Sequence, residues 1–228
     1  MSGSIILLNG TGSAGKTSIA RAVQQLCPEP VLHLGMDTFY IEVCPPQFLF
    51  RMVPPGVAVG DGLDEPEAAL FLEPPDDPAA RAGGTAIVVP RFGRQLLSGL
   101  HHSVAALARL GHRVVVDHVL WVPEWLPECV ALWREFPVLF VGVHCPLPVL
   151  EARELARGDR SAKGVVRWQY PRVHRHGDRP LPYDLEVDTA TATPHECAER
   201  ILARWEAGPS PRGFRSLEGW FGVPAEAG

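Results

Sequence analysis

Residues Gly10 to Thr17 read GTGSAGKT, and they follow directly on the apolar run SIILLN of residues 4–9. The eight residues fit the pattern Gly-x-x-x-x-Gly-Lys-[Ser/Thr], a loop whose backbone N–H groups surround the phosphates of a nucleotide. In such a loop the lysine reaches the β and γ phosphates, and the hydroxyl residue reaches Mg²⁺. The stretch therefore predicts binding of ATP or GTP, against the alternative of a glycine-rich turn with a purely structural role.

The glycines of this stretch have a physical reason, because the backbone itself must approach the anion. Gly10, Gly12 and Gly15 permit positive φ and leave no Cβ between the N–H groups and a phosphate. Residues 16–26, KTSIARAVQQL, read as a helix whose positive end points at the site. Lys16 and Thr17 are thus predicted to contact phosphate and Mg²⁺.

Composition limits the remaining possibilities. A chain of 228 residues with 46% hydrophobic content can bury one good core. We therefore expect one domain over residues 1–207 and a tail over 208–228. The net charge of −5, from 26 acidic and 21 basic residues, gives no footprint for nucleic acid or for an anionic membrane. No stretch approaches the roughly 20 apolar residues of a membrane span, and the N-terminus lacks a basic leader, so we expect a cytoplasmic location.

Strand and helix signals alternate along the chain. Five apolar runs read as strands, and amphipathic helical patterns lie between them. Such an alternation predicts an α/β fold with a central parallel sheet of about five strands and helices on both faces. The runs are residues 5–8, 31–34, 113–117, 138–143 and 185–187. The segment at about 44–90, dense in Pro, Gly and acids, is too long for an ordinary connection and is expected to form a lid or substrate cover.

Ligands of a parallel sheet collect at the carboxyl ends of its strands, so the residues after each run carry the chemistry. Asp37 follows the second run and could accept a proton from an incoming alcohol, as a general base does; its alternative role is to cap a helix from Thr38. Asp117 ends the third run, where it could lie near Mg²⁺ or act as a turn residue. The adjacent His118 is expected to be structural or to line the substrate site. Trp121 and Trp125, just after Asp117, are the tryptophans expected to touch the substrate.

A run of arginines follows the fourth strand. Arg153, Arg157 and Arg160 are spaced along a helix end and the loop beyond it, at about 153–164. A cationic lid here could offset the negative charge of a transferring phosphoryl group. The alternative is a solvent-exposed helix with ordinary ion pairs, such as Glu154 with nearby arginines. The predicted nucleotide-binding residues are Gly10, Thr11, Gly12, Ser13, Ala14, Gly15, Lys16, Thr17, Ser18 and Arg153.

The ordered set GTGSAGKT, GMDTF, RVVVDHV, VGVHC, ARELARGDR and YDLEVDT resembles the chloramphenicol phosphotransferase family. The resemblance runs from about Ser4 to Trp205 and implies a P-loop kinase fold that transfers the γ-phosphate of ATP to a hydroxyl of the antibiotic. It implies that Asp37 is the general base and that Arg157 and Arg160 belong to the lid. Two features depart from the family: Asp117-His118 replaces a pair of acids, and the loop after Cys44 is longer.

Three functional hypotheses follow. The leading one is an ATP-dependent O-phosphotransferase that uses Mg²⁺ and acts on chloramphenicol or another hydroxylated antibiotic or natural product, in resistance or self-protection. Its predicted catalytic residues are Asp37, Lys16, Arg157 and Arg160, and its predicted metal ligands are Thr17 and Asp117. The alternatives are a nucleoside or metabolite kinase and a nucleotide-gated binding protein. The sequence leaves the acceptor, the oligomeric state and the choice between ATP and GTP open.

Overall fold

A parallel five-stranded sheet forms the centre of the molecule. The computed structural model describes residues 3–52, 68–73, 84–157, 164–207 and 212–222. In these residues the strands are β1 (Ser4–Asn9), β2 (Val31–Gly35), β3 (Phe50–Met52), β4 (Leu70–Glu73), β5 (Ala86–Val88), β6 (Arg113–His118), β7 (Val138–His144), β8 (Arg175–His176), β9 (Arg179–Pro180) and β10 (Leu185–Asp188). The central sheet has the order β10-β7-β1-β6-β2 with every pair parallel. All five apolar runs of the sequence are strands of this sheet, so the predicted architecture is confirmed.

Helices cover both faces of the central sheet. They are α1 (Lys16–Leu26), α2 (Arg91–Arg109), α3 (Trp125–Trp133), α4 (Leu147–Ala156), α5 (Val165–Gln169) and α6 (Pro194–Glu206). Alternate residues of β1 point to opposite faces, as the pleat requires. Ile5 and Leu7 pack in one core with residues of α2 and α3, whereas Ile6 and Leu8 pack in a second core with residues of α1 and α6. The middle strands are therefore buried on both sides, which explains their continuous apolar sequences.

The connection from β2 to α2 has structure of its own. It contains a π-helix (Thr38–Val43), a 3₁₀ helix (Pro46–Phe48) and a small sheet in which β3 is parallel and β5 antiparallel to β4. Residues 53–67 and 74–83 of the connection lie outside the described residues. The described part packs apolar side chains on the core of the domain, including Leu70, Leu72 and Ile87. Its role as a lid or substrate cover stays a prediction.

Part of the C-terminal tail is ordered against the domain. Residues 212–222 form two short helices, α7 (Gly213–Ser216) and α8 (Glu218–Phe221). Phe214 and Leu217 are buried, and the guanidinium of Arg179 lies 5.4 Å from the centre of the Trp220 ring. Among the described helices, none is long and apolar enough to cross a membrane.

Candidate active site

The stretch that begins at Gly10 forms a loop between β1 and α1. Gly15 precedes α1 with φ 88°, in the left-handed region, and no side chain caps the first N–H groups of the helix. Lys16 is 7% exposed, and its Nζ donates a hydrogen bond to the carbonyl oxygen of Thr11 at 2.7 Å. Uncapped N–H groups at a helix start, with a lysine beside them, form a binding site for an anion.

The loop glycines differ from the expectation in one respect. Gly15 uses the positive φ that glycine permits, whereas Gly10 and Gly12 do not; the other loop residue with positive φ is Ser13, at 61°. Gly10 is required for a different reason, because a Cβ there would lie 2.4 Å from the carbonyl oxygen of Val143 on β7. Packing against the neighbouring strand, rather than backbone freedom, therefore selects glycine at the loop entrance.

Asp117 lies at the centre of a hydrogen-bonded group beside the loop. Its Oδ2 accepts hydrogen bonds from Thr17 Oγ1 at 2.8 Å and lies 3.0 Å from His33 Nε2. Sheet register creates this meeting, because residue 117 of β6 is paired with Leu8 of β1 on one side and with Gly35 of β2 on the other. Burial by itself would raise the pKa of Asp117, but the hydrogen bonds from His33 and Thr17 and the charge of Lys16 bring it below its ordinary value. Asp117 is therefore a carboxylate at neutral pH.

The residues at this point suit a magnesium ion. A hydroxyl and a carboxylate are oxygen ligands of the kind that Mg²⁺ prefers, and Mg²⁺ is usually held by one or two protein oxygens together with phosphate and water. Thr17 and Asp117 supply such a pair, 2.8 Å apart and next to the phosphate loop. The predicted ligands thus meet in space, and their role in metal binding stays a prediction.

Asp37 does not cap the helix that follows it. The structure gives the Asp37 side chain no capping hydrogen bond to the π-helix, and the residue is exposed. It lines the same cavity as Lys16 and Thr17. Asp37 thus shares a cavity with the phosphate loop, and its role as general base stays a prediction.

The arginines after β7 have different surroundings. Arg157 is exposed and lines the cavity, whereas Arg153 donates to Thr189 through both its terminal nitrogens, to Oγ1 at 3.0 Å and to the carbonyl oxygen at 2.8 Å. Thr189 Oγ1 in turn bonds to the carbonyl oxygen of Ala14, so Arg153 supports the phosphate loop from behind. Arg160 lies outside the described residues. Among the described residues, the carboxylate of Glu154 accepts hydrogen bonds from the N–H groups of residues 164 and 166, and no ion pair with a described arginine is seen.

Sequence reasoning missed Gln169. This side chain is 3% exposed, and its Oε1 accepts a hydrogen bond from the N–H of Gly12 at 2.8 Å. Glu154 fixes the start of α5, and α5 carries Gln169 to the loop. The residue lies 157 positions from Gly12 in the chain, so no local pattern could have indicated the contact.

The cavity at the phosphate loop has a volume of about 420 Å³, which is in the range of small-molecule sites. Its lining is of two kinds: the phosphate loop with Asp37, Asp117 and Arg157, which we name the phosphate end, and a mostly apolar wall, which we name the acceptor end. The wall residues are Met36, Tyr40, Ile41, Leu49, Phe50, Leu70, Leu72, Ile87, Val119, Trp121 and Val165. Most of them come from the connection between β2 and α2. The sequence predicts a lid or substrate cover in this connection but indicates none of the individual wall residues.

Trp121 and His118 have separate positions. Trp121 lines the cavity, but Trp125 is buried against His118, with ring centres 5.3 Å apart. His118 is fully buried, and its Nε2 lies 2.9 Å from His101 Nε2. Burial and the neighbouring His101 hold the pKa of His118 well below its ordinary value. Trp121 therefore fits the prediction of a substrate contact, whereas His118 and Trp125 have a structural environment.

A phosphate loop between the central strand and the first helix, with an acid at the end of the adjacent parallel strand, defines a P-loop kinase. The sequence profile of the chloramphenicol phosphotransferase-like proteins matches residues 3–206. The chain belongs to this family. Two relatives from two strains of Mycobacterium tuberculosis, named as candidate O-phosphotransferases, are 32% identical over 216 residues, with 94% of this chain and 88% of each relative covered.

Solved structures agree on the fold. The APS kinase of Mycobacterium tuberculosis, determined with AMPPNP and APS, matches with a TM-score of 0.55 at 16% identity, over 90% of this chain and 98% of that one. A sugar kinase from Janibacter matches with a TM-score of 0.51 at 16% identity, over 91% and 96%. With the family membership, the kinase fold identifies the chain as an ATP-dependent phosphotransferase of the kinase type.

Proposed function

We propose that this protein transfers the γ-phosphate of ATP, bound with Mg²⁺, to a hydroxyl of an apolar small molecule. A hydroxylated antibiotic or related natural product is the expected acceptor, with chloramphenicol the first candidate, and phosphorylation would inactivate it. One observation carries the proposal: a single cavity joins the phosphate loop to an apolar wall, and Asp37 also lines it.

The chemistry needs little covalent help from the protein, so positioning and charge account for most of the rate. The acceptor oxygen forms a bond to the γ-phosphorus, the bond from that phosphorus to the β–γ bridging oxygen breaks, and ADP leaves. Asp37 accepts the proton of the acceptor hydroxyl. Lys16 and the N–H groups at the start of α1 hold the phosphates, and Arg157, with Arg160 from the predicted lid, offsets the charge on the transferring group. Mg²⁺ held by Thr17 and Asp117 would neutralise charge on the β and γ phosphates.

The wall of the cavity favours an apolar acceptor over a charged metabolite. The charged residues among its described lining are Lys16, Asp37, Asp117 and Arg157; apart from these, the phosphate loop and Gln169, the described lining is aliphatic and aromatic. An acceptor with a phosphate or carboxylate on its body would have to bury that charge among aliphatic and aromatic side chains, which is unfavourable without a partner. A compound with a ring or hydrocarbon body is better matched.

The test is ATP consumption by the purified protein with Mg²⁺ across chloramphenicol, other hydroxylated antibiotics and nucleosides, followed by mass spectrometry. We expect one or more antibiotics to gain the mass of a phosphate, and expression of the protein to raise the tolerance of a susceptible host to the same compounds. Phosphorylation of nucleosides alone would replace the proposal with a nucleoside kinase. ATP binding without transfer to any compound would favour a nucleotide-gated binding protein.

A further inference from the structure

The peptide unit between Thr11 and Gly12 in the phosphate loop is hydrogen-bonded at both of its polar atoms. Its carbonyl oxygen, that of Thr11, accepts from Lys16 Nζ at 2.7 Å. Its N–H, that of Gly12, donates to Gln169 Oε1 at 2.8 Å. Two side chains from distant parts of the sequence therefore fix the direction of one peptide plane in the loop.

The loop has a physical reason to leave this shape when the bond to Gln169 is removed. Ser13, the residue after Gly12, has φ 61°, in the left-handed region that residues with a side chain seldom adopt. Such a conformation is unfavourable and persists only where its surroundings hold it. Gly12 is buried, so its N–H group would also lose free energy without an acceptor. A change of loop shape would relieve both costs.

Gln169 is itself firmly placed. Its side chain is 3% exposed, and its backbone carbonyl accepts a hydrogen bond from the N–H of Val173 at 3.1 Å. The start of α5, which carries Gln169, is fixed by the buried carboxylate of Glu154, which accepts from the N–H of Val166 at 3.1 Å. The acceptor for the loop N–H is thus a positioned amide, and it has no charge to repel a phosphate.

The two side chains on this peptide differ in their relation to the nucleotide. The ammonium of Lys16 is the predicted contact of the β and γ phosphates, so the phosphates compete with Thr11 for it. Gln169 accepts from the loop through an uncharged oxygen, which a phosphate oxygen does not replace as a donor would be replaced. The bond between Gln169 and Gly12 can therefore persist when the phosphates bind.

We propose that Gln169 is a positioning residue that holds the phosphate loop in its nucleotide-binding shape before ATP arrives. The inference rests on the proposed function for the assignment of the phosphates to this loop. Gln169 acts through Gly12 and not on the nucleotide itself. Without the amide oxygen the loop adopts other shapes, and the apparent affinity for ATP falls with the fraction of molecules that keep the binding shape.

The first measurement is amide hydrogen exchange of Gly12 by NMR, without nucleotide. Gln169→Met keeps the size of the side chain but removes the carbonyl, whereas Gln169→Glu keeps an oxygen acceptor; Gln25→Met, at an exposed position of α1, is the control. We expect slow exchange in the wild type, Gln169→Glu and Gln25→Met, and exchange about tenfold faster in Gln169→Met, the worth of one net hydrogen bond. Exchange in the wild type as fast as at an exposed loop amide, or no change in Gln169→Met, would overturn the proposal.

The second measurement is stopped-flow binding of the fluorescent analogue N-methylanthraniloyl-ATP with Mg²⁺. Gln169→Met should raise the Kd about tenfold, as when one molecule in ten keeps the binding shape. The increase should come from slower association, with the dissociation rate within twofold of wild type. Faster dissociation at an unchanged association rate would indicate a direct contact with the nucleotide, and a lower Tm with an unchanged Kd would indicate a merely structural role; either result would contradict the proposal.

Failure of this inference can be told from failure of the proposed function. If Gln169→Met shows both effects but no panel compound is phosphorylated, the role of Gln169 is right and the proposed reaction is wrong. If a panel compound is phosphorylated and Gln169→Met binds the analogue with wild-type kinetics, the reaction is right and the role of Gln169 is wrong. No binding of the analogue by the wild type would overturn the role of Gln169 as well.

Discussion

The two ends of the cavity are built in different ways. At the phosphate end, hydrogen bonds join Thr17, Asp117 and His33, and another joins Lys16 to the backbone carbonyl of Thr11. At the acceptor end, the wall consists of apolar side chains held by packing.

This difference indicates which substitutions each end of the cavity can tolerate without loss of function. A hydrogen-bonded group has fixed distances and directions, so it suits a phosphate chain that is the same in every reaction cycle. An apolar wall is shaped by volume, and substitutions of similar volume are tolerated. We infer that the phosphate end fixes the chemistry and that the acceptor end sets the choice of substrate. The following variants test that contrast, from the largest expected effect to the smallest.

Lys16→Ala is the strongest test of the phosphate end. Removal of the ammonium takes away the cation nearest the phosphates, and we expect a loss of at least about 10³-fold in kcat/KM, with circular dichroism and Tm close to wild type. Arg21→Ala, an exposed cation on the same helix, is the matched control and should retain activity. Turnover of Lys16→Ala within tenfold of wild type would contradict the assignment.

Asp37→Asn tests the predicted general base at the phosphate end. The amide keeps the shape but cannot accept the hydroxyl proton, so kcat should fall by about 10²- to 10⁴-fold while the acceptor KM changes little. Glu42→Gln, an exposed acid on the same π-helix, is the control. Steady-state kinetics decide the matter, and near-normal turnover of Asp37→Asn would remove it from the role of base.

Gly35→Ala tests whether the hydrogen-bonded group at the phosphate end depends on its geometry. A Cβ at residue 35 would lie 2.6 Å from Asp117 Oδ1, so the carboxylate must move away from Thr17. We expect a loss of about 10- to 100-fold in kcat/KM, since small misplacements of a positioned group are costly, and a higher Mg²⁺ requirement. Gly99→Ala, where a Cβ meets only Phe39 at 3.6 Å, is the control. An unchanged Mg²⁺ dependence would argue against a metal role for Asp117.

A pH titration of stability tests a group of hydrogen-bonded side chains next to the phosphate loop. In this group Asn9 Nδ2 and His174 Nδ1 each lie 2.7 Å from the hydroxyl oxygen of Tyr183. Burial, His144 and Lys16 lower the pKa of His174 to about 3. Between about pH 6.5 and that value the unfolded state holds a proton that the folded state does not, so the free energy of unfolding falls as the pH falls. His174→Gln should reduce the decrease between pH 7 and pH 5 by about 1–2 kcal/mol, as measured by urea unfolding. His112→Gln, an exposed control, should show the wild-type decrease, and a wild-type decrease in His174→Gln would exclude the mechanism.

The local patterns of the sequence predicted the sheet and the phosphate end. Continuous apolar runs can be satisfied only by burial on two faces, and the loop from Gly10 to Thr17 is set by contacts within a few residues. The position of Asp117 was also predictable, because the carboxyl ends of parallel strands meet at one edge. The need for glycine at residue 10 to pack against β7 was not predictable, because the deciding contact, with Val143, comes from a strand distant in the sequence.

The acceptor end depended on tertiary structure. Its wall residues follow no motif, since any apolar side chain of suitable volume can fill a wall, and only the folded chain brings Leu49, Leu70 and Ile87 to one surface. Gln169 reaches Gly12 only because α4 and α5 fold back onto the loop. The sequence by itself thus determined the strands, the phosphate loop and the acids at the strand ends, where local periodicity and spacing are sufficient. Tertiary structure decided the shape of the cavity and the contact of Gln169 with the phosphate loop, because burial and hydrogen bonding depend on residues far apart in the chain.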